Sequence, residues 1–170
     1  MGSIQYDVKQ AHINASGFLV LGRTRVKAVS FTGSATAGQV SLFDTMTAPV
    51  TTATYGRSGT TVTITSTAHG LSTGSVIGVD FSAGTGGTAT NGNYAVTVTN
   101  ANTFTITDIN SGSITAGAAM TYAGRWLMTF DVAANDTFNN VSLIPGDGVV
   151  AYSGVYAVLT NLAATNIFYG

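Results

Sequence analysis

The chain repeatedly alternates threonine with a large apolar residue, and that alternation decides its fold class. Thr61-Val62-Thr63-Ile64-Thr65 sets Val62 and Ile64 on one face and hydroxyls on the other. Thr103 to Thr107 repeats the pattern and buries Phe104 and Ile106. Tyr94 to Thr99 turns Tyr94, Val96 and Val98 inward, and Ser75 to Phe81 does the same with Ile77, Val79 and Phe81. A period of two over five or six residues marks a half-buried antiparallel strand. Asn100-Ala101-Asn102 is short and turn-forming, so the strands on either side of it should make a hairpin.

Composition extends this to the whole chain. Glutamate is absent, and 28 threonines and 21 glycines stand in 170 residues. Such a mixture is poor in helix formers and argues against a helical bundle. Hydrophobic residues make up 45%, enough for a sizeable core. No apolar run reaches the roughly 18–20 residues of a membrane helix. Charged residues make up only 8%, against about a quarter in an ordinary soluble domain. With a net charge of −1 and a pI near 6.0, bulk attraction to nucleic acid or to an anionic membrane is not expected. The absence of cysteine removes disulfides, thiolate metal ligands and cysteine nucleophiles. The N-terminus has no apolar signal-peptide core.

The flanks read as denser strands. Phe18 to Leu21, Thr24 to Thr32 and Gln39 to Phe43 form one set. Arg125 to Val132, Phe138 to Ile144, Val149 to Tyr152, Gly154 to Thr160 and Asn166 to Tyr169 form a second. The expected fold is all-β: an antiparallel, jelly-roll-like sandwich carrying a small inserted β-sandwich or barrel domain. Residues 1–57 and 123–170 make the outer domain, and residues 58–122, which hold no cation, make the insert. Gly56-Arg57-Ser58-Gly59 and Ala123-Gly124 are its expected hinges. Residues 1–16 read as a polar arm, frayed or laid along a partner. The Gly84–Gly92 stretch reads as an exposed, mobile tip.

Groups for chemistry are sparse. His69, in Thr67-Ala68-His69-Gly70-Leu71, is expected to be a turn histidine whose ring hydrogen-bonds to backbone. His12 is read as a surface or interface residue. Two separated histidines cannot supply a zinc site, and Asp131 with Asp136 match no calcium loop. No metal, cofactor or catalytic residue is therefore assigned, and an enzyme is not expected. Gly146-Asp147-Gly148-Val149-Val150-Ala151 spells a dinucleotide fingerprint, but Pro145 precedes it and β residues follow it. It reads as a tight turn, because the fingerprint needs a helix there.

Arg23, Arg25 and Lys27 recur at period two and read as a single cationic stripe: a solvated strand face, or, as the functional alternative, an electrostatic contact with an acidic protein surface. Tyr55, Tyr94, Tyr122 and Trp126 are candidate glycan contacts, with the 84–92 loop as a rim; the competing expectation places them in the core or an interface. A low-charge coat suits a protein packed against copies of itself.

Two parts resemble proteins of tailed bacteriophages. From Thr61–Thr65 through Ala68-His69-Gly70-Leu71 and Thr73-Gly74 to Asn91-Gly92-Asn93-Tyr94 and Thr103–Thr107, the insert is similar to a small β module within phage virion proteins. Pro145-Gly146-Asp147-Gly148-Val149, Gly154–Thr160 and Ile167–Gly170 resemble the end of small phage structural proteins. The resemblance implies a non-enzymatic virion component. The leading expectation is a capsid decoration or cement protein, homotrimeric, contacting the major capsid protein and its sister copies. The alternatives are a tail fibre-attachment or adaptor protein, or a carbohydrate- or receptor-binding module on the virion.

Overall fold

A computed structural model describes residues 8–136 and 139–170. Among them, antiparallel strands account for the regular structure. The chain divides into two compact units: Met1–Met46 with Met128–Gly170, and Thr47–Leu127.

The first unit begins with β1 (Lys9–Ile13), β2 (Gly17–Leu21), β3 (Thr24–Gly33) and β4 (Gly38–Asp44). β10 (Arg125–Val132) runs out of the last residues of the second unit, and β11 (Asn139–Leu143), β12 (Val149–Ala151), β13 (Gly154–Thr160) and β14 (Leu162–Tyr169) follow. One sheet runs β1-β14-β3-β11, with β12 also paired to β3, and the other runs β10-β4-β13-β2. With β11 and β12 sharing one strand position, this is the order of two interlocked Greek keys, the jelly roll. Val29, Val40, Leu42, Val155, Ala157 and Ile167 have no exposed surface and form its core. Each large apolar side chain so buried contributes about 1.5–3 kcal/mol.

A bulge in β3 sets the polarity of its sheet. Phe168 pairs with Ala28 and the next residue, Tyr169, pairs with Val26, so Lys27 has no partner on β14. The extra residue shifts the side-chain phase. Val26 and Val29 are both fully buried, while Arg25 and Lys27 turn to the opposite face. The polar arm expected over residues 1–16 is not free where it is described. β1 pairs with β14 from Lys9↔Tyr169 to Ile13↔Thr165, adding a strand to its own sheet. Residues 1–7 lie outside the described part.

The second unit comprises β5 (Val50–Thr65), β6 (Val76–Phe81), β7 (Gly92–Ala95), β8 (Thr97–Asn100) and β9 (Thr103–Ala123). Its sheet runs β5-β9-β6-β7, with β8 paired to β9. The alternating residues behave as their period predicts: Val62, Ile64, Phe104, Val79 and Val96 are buried. The hairpin through Ala101 and Asn102 forms, with Thr97↔Thr105 and Val98↔Phe104 in register.

The unit extends beyond 58–122 at both ends. β5 and β9 pair from Val50↔Tyr122 to Thr65↔Thr103, interrupted by bulges. Gly56–Gly59 therefore lies inside a long strand and is no hinge, and Ala123 closes β9. The physical reason is close packing: a Cβ on Gly56 would sit 2.8 Å from the Ala116 Cα, so glycine there brings the two strands together.

Candidate interaction surfaces

The face of the β1-β14-β3-β11 sheet turned away from its core carries two of the three cations expected in a stripe. Arg25 and Lys27 are half-buried on it and, among the described residues, form no ion pair. Arg23 lies outside the strand, exposed in the bend between β2 and β3 because β3 begins only at Thr24; it lines one cleft with Arg25 and Gly170. Cross-strand register sets Val141 beside Ser30 and Leu143 beside Ala28, then Asn166 and Phe168 on the other side. Val141 is 57% and Leu143 78% exposed, whereas Ala28 and Ser30 are buried between their larger neighbours. His12 Nδ1 lies 2.9 Å from Asn166 Oδ1, which also accepts from Gln10 Nε2 at 2.8 Å. Asn166 Nδ2 donates to Ser30 Oγ at 3.1 Å. His12 is thus an exposed member of a fixed polar border.

A second surface forms at one end of the jelly roll, where two sheet-to-sheet corners meet. The Gly22 N–H donates to Ser153 O at 2.8 Å, and the Thr45 N–H to Gly154 O at 3.1 Å. Buried Asp44 fixes the corner by accepting from the N–H groups of Tyr152 and Ser153 at 2.8 Å and of Gly154 at 3.2 Å. This draws Leu21, Met46 and Tyr152 to the same end, each about two-thirds exposed (67%, 67% and 64%). Their separation in sequence hides the cluster from any local reading.

The aromatic glycan candidates fare differently. Tyr55 and Tyr122 are core residues, 1% and 5% exposed. The Tyr55 hydroxyl donates to Ser82 O at 2.7 Å, and Tyr122 Oη shares a 2.9 Å bond with Ser66 Oγ. Tyr94 is half-buried, and its hydroxyl donates to Thr90 O at 2.7 Å. Burial pushes the Tyr55 and Tyr94 phenols up, the latter with help from the Asp108 charge, so both stay protonated donors. Half-buried Trp126 is tied through its backbone to Asn93, donating at 2.8 Å and accepting at 3.1 Å. The four do not assemble into one platform.

Residues 85–88 of the 84–92 stretch are exposed, as expected of a tip, but its flanks are anchored on the sheet. Ala89 is 4% exposed within the core of its unit. Gly84 lies so near β9 that a Cβ would come within 2.5 Å of the Ala118 Cβ, and Gly86, at φ +105°, lies under Ser113 O. Small residues let this loop settle on the sheet. Polar bonds lock it: the Phe81 N–H donates to Asn91 Oδ1 at 2.8 Å, and the Asn91 amide donates to buried Asp80.

Sequence reasoning missed the ion pair beneath it. Arg57 Nη1 lies 2.5 Å from Asp108 Oδ2, with side chains 8% and 1% exposed. Asp108 also accepts from the Thr90 N–H at 3.2 Å and the Asn110 N–H at 3.1 Å. Burial pushes its carboxyl up, but bonds from Thr90, Asn110 and Arg57 outweigh burial and hold it below the usual carboxylate range. This is a structural clamp on the loop.

His69 is the turn histidine its setting predicts. The Leu71 N–H donates to Nδ1 at 3.0 Å, so Nε2 carries the proton and donates to Asn100 O at 2.9 Å. Its ring meets Phe104 edge-on at 5.1 Å. Replacing His69 with alanine is expected to lower the unfolding free energy by about 1–2 kcal/mol, read as a shifted urea midpoint with unchanged slope. The Pro145–Gly148 segment is a turn between β11 and β12, as the residues around the fingerprint letters require. Compared with known proteins, the chain matches no family model, no curated protein and no solved structure.

Proposed function

We propose that the chain is a bacteriophage virion structural protein, a capsid decoration or cement protein that stabilises the shell as a trimer. The observation that carries this reading is the convergence of Leu21, Met46 and Tyr152 on one end of the jelly roll, about two-thirds exposed over an Asp44-capped corner. Large apolar side chains held on rigid backbone suit a permanent contact with sister copies, and closed symmetry would cover them on every copy. The jelly roll agrees with such a role, since viral shells and lectins both use it, although fold alone does not assign function. The burial of Tyr55 and Tyr122 weighs against the glycan-binding alternative.

Sedimentation equilibrium tests the reading. The unaltered chain is expected to be trimeric, and Leu21→Asp combined with Tyr152→Asp to weaken association at least about tenfold, near 1.4 kcal/mol. Both positions are exposed, so the fold should persist. A monodisperse monomer at high concentration, or a particle reconstruction with no copy on the shell, would overturn it. Copies numbering only a few per particle would favour a tail position.

A further inference from the structure

We infer that the outward face of the β1-β14-β3-β11 sheet docks an acidic protein surface. Resting on the function proposed above, that surface belongs to the shell subunit. Three observations converge on this face. It carries half-buried Arg25 and Lys27, whose charges form no ion pair among the described residues. It exposes Val141 and Leu143 over 57% and 78% of their surface. Between these and Phe168 in the register lie the small residues Ala28 and Ser30, 6% and 2% exposed.

An apolar centre with a polar border is the anatomy of a protein interface. The border is already organised: Asn166 is bonded to Ser30, Gln10 and His12, so docking need not order it. Charge selects the occupant. A second copy packed face to face on this sheet would gather four cations into one interface, which is repulsive. An acidic patch would complete both cations. A nucleic acid would need more positive charge than two side chains on a chain of net charge −1 provide. The β3 bulge is what makes the face cationic, because it rotates Lys27 out of the ladder with β14 and beside Arg25.

The test titrates shells assembled without this protein with the unaltered chain and with the Arg25→Glu, Lys27→Glu double variant, in low and raised salt. Thermal unfolding and sedimentation of each free chain run in parallel. The unaltered chain is expected to bind less tightly as salt rises. The charge reversal should bind at least about tenfold more weakly while unfolding and sedimenting as before. Leu143→Asp, which leaves both cations in place, should also weaken binding. Equal binding by the reversed variant overturns this inference and leaves the proposed function standing. Failure of the unaltered chain to bind shells overturns both. A changed association state in the reversed variant would assign the face to sister copies and overturn the acidic partner.

Discussion

Alanine at position 78 is expected to lower the melting temperature of the second unit by some 10–20 °C. Gly78 stands in β6 with neighbours on both sides, pairing with Asn93 of β7 and Ala123 of β9. Its N–H donates to Gly124 O at 3.0 Å. A Cβ there would lie 1.8 Å from Trp126 N, 2.5 Å from the Arg125 carbonyl carbon and 2.7 Å from the Trp126 Cα. All three are backbone atoms, so no rotamer change can make room. The 125–126 segment must move, which strains the paired Asn93–Trp126 bonds. Overpacking costs about 1–3 kcal/mol, and each lost hydrogen bond about 1 kcal/mol more. Scanning calorimetry reads the shift, and a change of only a degree or two would show that the close approach is not required.

The second large effect comes from Asp108→Ala. Arg57 would keep its buried position but lose its counter-charge, and the N–H groups of Thr90 and Asn110 would lose their acceptor. Breaking one side of a buried pair costs about 3–5 kcal/mol. Replacing both partners, Arg57→Met with Asp108→Leu, should cost much less, because neither charge is left alone. The pH dependence has a definite sign. A carboxyl held below its ordinary value in the fold stabilises it above that value, and the contribution is lost as pH falls through the lowered one. The stability gap between unaltered chain and Asp108→Ala should therefore be full at pH 7 and shrink below about pH 4. Urea unfolding at both pH values measures it, and a gap that widens in acid would contradict the clamp.

What the sequence made legible was local. Val62, Ile64, Phe104 and Ile106 announce their strands because each neighbour along the chain alternates. His69 could be placed because its partners, Leu71 and the Asn100 turn, belong to recognisable turn segments. The first half of β5 and the second half of β9 were opaque for the opposite reason. Gly56, Ala116, Gly117, Ala118 and Ala119 are small, so they carry no alternation of size, and their strand character comes from one another across the ladder. Arg57 and Asp108 stand 51 residues apart, and nothing near either in sequence points to the other. The glycines of the 84–92 loop resembled flexible spacers, whereas the smallness of Gly84 and Gly86 serves close contact with β9. Arg23 was misplaced by one residue's worth of strand, since period two continues through a bend as readily as through a ladder.

The way the second unit is spliced into the chain of the first has a consequence for engineering. β4 and β10, which precede and follow it, lie side by side in their own sheet, and β5 and β9 start and finish it as mates, Val50 beside Tyr122. Both halves of the splice are thus pairs of adjacent strand ends, and a tight hairpin could bridge either. The module is a cassette: a foreign domain with neighbouring termini can be grafted in its place without rethreading the jelly roll that receives it.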